Sequence, residues 1–135
     1  MASSTAGVDH DERYGGSIAD LARTLRRWPR LARFVHEFGA QAVPHTDDWM
    51  RPQRWPTLDW DRIARHHALQ RDELGPIAPP EESKTLDEWR ETTQAYQAAL
   101  LQLQIEDLRR VKYAPAGGFA QFSLADGQPA VSWSV

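Results

Sequence analysis

The 135-residue chain contains no cysteine, so it has no disulfide framework, no thiolate nucleophile and no Cys-ligated zinc site. Nothing marks an oxidising compartment, and a cytoplasmic location is expected. It also lacks an excess of positive charge: 16 Lys+Arg face 19 Asp+Glu, a formal net charge of −3. Without an overall positive field, nucleic acid is not an expected partner. No apolar run approaches the ~20 residues that span a bilayer. Residues 1–10 (MASSTAGVDH) have neither a basic region nor an apolar one, so neither an export signal nor a membrane anchor is expected.

What is present suits a globular domain. Hydrophobic residues make up 41% and charged residues 26%, with six Trp, three Tyr and four Phe, which argues against disorder or a fibrous polymer. A chain of this length is about one domain and buries roughly two thirds of its unfolded surface.

Residues 1–15 are small and polar and read as a mobile lead-in; an ordered unit is expected over 16–135. Ser17 and Asp20 form a capping-box pattern ahead of Ile18, Leu21 and Leu25, predicting a helix that ends near Trp28, before Pro29. Phe34, Val35 and Phe38 enclose one acid, Glu37, and stop at Gly39, a pattern of a buried parallel strand. From Pro44 to Pro56 the chain is too broken by Pro, Asp and Arg for regular structure, and Trp49, Met50 and Trp55 are expected to anchor it as an ordered loop.

A second helix is predicted from Thr57 through Ile63 and Leu69, before Gly75 and the Pro76–Pro80 breaker. The clearest helix follows. Thr85 and Glu88 form a capping box, and Leu86, Trp89, Thr93, Tyr96, Leu100 and Leu103 recur in steps of three and four, continuing through Leu108 and Val111. The tail offers Phe119, Phe122 and Leu124 as a second strand and Val131, Trp133 and Val135 as a third. Parallel strands joined by a long helical crossover belong to an α/β fold, here with too few strands to protect its own sheet edges.

Glu37 is the sharpest chemical feature. A carboxylate in an apolar strand costs several kcal/mol to bury unpaired, so it has a task or a partner. The alternative is an exposed strand tip paired with an arginine such as Arg33.

The run Arg-Phe-Val-His-Glu-Phe-Gly-Ala-Gln-Ala-Val-Pro, Arg33 to Pro44, resembles the nucleophile strand of glycoside hydrolase family 2, usually Arg-Phe-Val-Ser-Glu-Phe/Tyr-Gly-x-Gln-x-x-Pro. The tail resembles that family's final barrel strand, through Gly118, Phe122, Leu124, Asp126, Pro129, Ser132 and Trp133. Together the motifs bracket most of the chain. The resemblance implies an α/β fold that is part of a (β/α)8 TIM barrel, roughly from its sixth helix to its eighth strand, since a whole barrel takes about 250 residues.

It further implies a retaining β-glycosidase acting on a β-glycoside or oligosaccharide, with no cofactor. Glu37 would be the nucleophile, and a second carboxyl ~5 to 5.5 Å away would serve as acid and base. In the family that acid follows an Asn on the fourth strand, and this chain has no Asn, so it is expected to be inactive alone. Phe122, Asp126 and Trp49 are the expected substrate contacts, Asp126 having loop orientation as its other reading and Trp49 that of a buried anchor. His36 stands where the family has Ser, Phe122 replaces Trp and Ala125 replaces Asn. A non-catalytic module that self-associates or complements a separate barrel portion, and an inactive gene remnant, are the alternatives.

The remaining features carry less. Adjacent His66 and His67 point about 100° apart on a helix, so no metal site is expected. Arg23, Arg26, Arg27, Arg30 and Arg33 form a basic run broken by Trp28 and Pro29; it reads as a solvated face, with phosphate binding as the weaker alternative. The 85–112 stripe is expected to pack on a sheet rather than to form a dimer seam.

Overall fold

A computed structural model describes residues 20–47, 49, 54–113, 116–128 and 130–135. The lead-in, the Ser17 cap with Ile18, Met50 and Pro129 lie outside them. Helix α1 (Asp20–Arg27) stops one residue before Trp28, as Pro29 requires, and a 3-10 turn (Pro29–Arg33) leads into strand β1 (Phe34–His36). Helices α2 (Trp60–His67) and α3 (Arg71–Leu74) follow, then α4 (Leu86–Arg110) and strand β2 (Gly118–Ala120).

The two strands pair in parallel, with Phe34 opposite Gly118, Val35 opposite Phe119 and His36 opposite Ala120. Segments far apart in sequence thus become neighbours, joined by a helical crossover as parallel pairing demands. The sheet has two strands, so each keeps one edge to which no strand is paired among the described residues. Val35 is wholly buried while Phe34 and His36 are exposed, so one face of β1 packs inward and the other is open.

Helix α4 is the spine. Its Thr85 Oγ1 accepts from the Glu88 N–H at 3.1 Å, and Glu88 Oε2 accepts from the Lys84 N–H at 2.7 Å, a reciprocal cap shifted by one residue from the usual box. Its first half buries Trp89 against the rings of Trp49, Trp55 and Trp60, with centroids 6.2, 5.5 and 6.2 Å away, and the Trp89 indole donates to the Ala78 carbonyl at 2.8 Å. Val43, Ile63, Leu69, Leu74 and Val131 complete that cluster. Its second half packs Leu108, with Leu101, Ile105 and Val111 at the margin, on Leu25, Val35 and Phe38.

Five expectations need correction. The strand expected to be buried through Phe38 covers only Phe34–His36, with Phe34 exposed and Glu37 past its end. Of the expected second strand, Phe119 lies in β2, whereas Phe122 and Leu124 lie beyond it. The single helix expected from Thr57 to Gly75 is two, because Ala68 turns left-handed (φ 60°) and ends α2. The break is held by Gln41, whose Nε2 donates to the Ala68 carbonyl at 2.7 Å and whose Oε1 accepts from the Gln70 N–H at 2.9 Å. Val131, Trp133 and Val135 do not form a strand: Ser132 makes one antiparallel bridge with Ala42, and Val131, Ser132 and Trp133 are all buried, so the alternation is absent. On α4, Tyr96 and Leu103 are only partly buried, whereas Arg90, Gln97 and Gln104 are buried; at Arg90 and Gln97 the helix faces the backbone carbonyls of Pro44 and Ala40 as well as apolar side chains.

Candidate functional site

Glu37 is the first residue after β1 and is partly buried. Its backbone is left-handed (φ 60°), and its N–H donates to the Ala120 carbonyl at 3.0 Å. The turn therefore sits on the carboxyl ends of both strands. Side chains with a β carbon rarely hold such a φ, and two residues later Gly39 has φ +143°. A β carbon on Gly39 would meet the Phe122 carbonyl oxygen at 3.4 Å and Leu101 Cδ2 at 3.5 Å, ordinary contact distances, so it is the φ that calls for glycine.

The closing segment is fastened to this turn. The Phe122 N–H donates to the Phe38 carbonyl at 3.3 Å, and the rings of Phe38 and Phe119 meet edge to face at 5.8 Å. Phe122 is 37% exposed, with its ring centroid 6.2 Å from that of Trp133. Gln121 Nε2 and the Ser123 N–H both donate to the Trp133 carbonyl, at 3.0 and 3.3 Å. Glu37, Phe122 and the Trp133 segment are thus gathered at one end of the sheet.

Asp126 acts as a clasp. Its carboxylate accepts from Ser132 Oγ, at 2.7 and 2.6 Å to its two oxygens, and from Ser134 Oγ at 2.6 Å. Of its two expected roles, loop orientation is the one these contacts display. Trp49 is corrected more strongly: it is wholly buried in the α4 cluster, offers no ring face to a sugar, and is the loop anchor of the alternative reading.

Sequence reasoning missed the residues that hold the segment beyond Glu37. The Val43 N–H donates to Thr93 Oγ1 at 3.0 Å, Gln94 Nε2 donates to the Val43 carbonyl at 2.8 Å, and Gln97 Nε2 donates to the carbonyls of Ala40 (2.9 Å) and Ser134 (3.0 Å). Arg90 Nε donates to the Pro44 carbonyl at 2.9 Å, and its guanidinium pairs with Asp47 and Asp87. Each backbone group so bonded is spared the cost of being buried unpaired. The available signal was Thr93, a polar member of the α4 stripe, with Gln94 and Gln97 beside it.

Among the described residues no group of three His, Asp or Glu side chains is placed to hold a metal ion, and no helix is long and apolar enough to cross a membrane. No protein-family model, curated protein or solved structure matches the chain.

Proposed function

We propose that these residues form the nucleophile-bearing arc of a retaining β-glycosidase barrel, with Glu37 as the nucleophile and the acid/base supplied from outside the arc. One observation carries the reading: the two motifs of the family resemblance are adjacent parallel strands, with Glu37 at their carboxyl end. Barrel enzymes place their chemistry on that face. In the proposed reaction a Glu37 carboxylate oxygen bonds to the anomeric carbon as the aglycone leaves, taking its proton from the missing acid. Water then opens the glycosyl ester, giving its proton to the same group, and the configuration is retained. Phe122 presents an exposed ring beside the turn for the apolar face of a sugar.

The test is reconstitution. Activated aryl β-mannoside and β-galactoside are supplied to the purified chain, alone and mixed with a separately produced portion of a family barrel carrying the first six strands. The expected result is no turnover alone, turnover in the mixture, and its loss in Glu37→Ala. Azide should then rescue that variant as the α-glycosyl azide, because the small anion occupies the place of the deleted carboxylate. A mixture that is inert, or whose activity survives Glu37→Ala, overturns the proposal.

A second reading, a non-catalytic assembly module, is favoured by the open strand edges and by Phe34, 56% exposed on the uncovered sheet face. Unpaired edges invite strand addition.

A further inference from the structure

The fold sorts charge in a way that net charge conceals. Segments 20–36 and 106–113 hold half of the chain's 16 cationic side chains but only three of its 19 acids. They are brought together because Leu25, Leu31, Leu108 and Val111 share one apolar cluster, and because the Gly117 N–H donates to the Arg33 carbonyl at 2.8 Å. Around that cluster Arg26, Arg27, Arg30 and Arg33 are exposed, as are Arg109, Arg110 and Lys112. Arg110 is engaged by Glu106 and Asp107 of α4.

Exposed rings accompany the cations. Trp28 is 59% exposed and Tyr113 81%. Each carries a cation against one side of its ring: the Arg27 guanidinium lies 5.3 Å from the Trp28 ring centre, and Lys112 Nζ lies 4.8 Å from that of Tyr113. A large aromatic side chain left in water beside a cation is a stacking platform.

We propose that this end of the molecule binds single-stranded nucleic acid, with Arg26, Arg30 and Arg33 on phosphates and with Trp28 and Tyr113 stacking on bases. A lipid surface fits less well. An interfacial helix inserts its apolar face, and here Leu25 and Leu31 are committed to the protein's own cluster. An acidic protein would use the cations but has no bases to stack on the rings. The inference is independent of the glycosidase reading.

The test uses a fluorescein-labelled oligouridylate of about 12 nucleotides, with anisotropy followed at about 50 and 200 mM salt. Three phosphate contacts on a single strand predict affinity falling about 15- to 20-fold between those salts. The double variant Arg26→Gln/Arg30→Gln should weaken binding at least about tenfold and flatten the salt dependence. Trp28→Ala and Tyr113→Ala should each weaken it about fivefold or more while leaving the salt dependence intact. Far-UV circular dichroism checks that each variant is folded, and Tyr113→Ala, beyond the end of α4, tests stacking even if an α1 variant unfolds. Absence of binding at low salt overturns the proposal. So does equal binding of polyglutamate that is untouched by the ring deletions, which would mark an acidic protein as the partner, or binding confined to phosphatidylserine vesicles.

Discussion

Asp126 illustrates how one side chain is spent. A carboxylate that already accepts from two serine hydroxyls has about half of its lone-pair directions occupied, and its first effect is to fold the segment 126–134 back on itself. Asp126→Ala removes those bonds and leaves the buried Ser132 hydroxyl without its acceptor. The expected cost is about 1 to 2 kcal/mol, read as a melting temperature lower by about 3 to 8 °C, with the same loss whether or not a sugar is present. A variant as stable as the parent would show the clasp to be idle. Single residues were legible in the sequence where their chemistry is self-evident. Glu37 stands out as an acid among apolar neighbours, and Gly39 as a stop after Phe38. Trp49 was not: ring type is the same for a sugar platform and a core anchor, and only its neighbours on α4 separate the two.

At the scale of elements, α1, β1 and α4 were legible because each carries a strong local signal: Pro29 as a stop, an apolar run, and a capping box with a stripe of three- and four-residue steps. The break at Ala68 was not, since it depends on Gln41, distant in sequence, bonding both sides of it. The third strand failed for a related reason. Its residues are held by side-chain amides and a single bridge rather than by a neighbouring strand, and an alternating pattern cannot distinguish these. Helix α4 works as a bracket as much as a packing surface. Gln97→Met keeps the volume but strands the carbonyls of Ala40 and Ser134, so a loss of about 2 kcal/mol is expected. Hydrogen exchange should accelerate across residues 40–43 before it does in the middle of α4; uniform acceleration would show that Gln97 is general packing and not a bracket.

For the whole molecule, the open sheet is the governing feature. Two short strands, each with one edge unpaired among the described residues, are a poor stopping point for a sheet, so association is expected at high concentration. Sedimentation velocity should show the average mass rising with concentration, and Phe34→Lys, placing a charge on the uncovered face of β1, should suppress that rise. A monomer at all concentrations would remove the assembly reading. The parallel pairing of two strands across a long helical crossover was legible in the strand patterns and the helical interval between them; how the strands meet in register lies in long-range contacts that no local pattern encodes. The sorted charge has its own consequence. Among the described residues the cations gather at one end and acids are in excess over the rest, which makes an electric dipole, and at neutral pH and low salt the protein should be retained on cation- and anion-exchange resins alike, each bead capturing it by a different end.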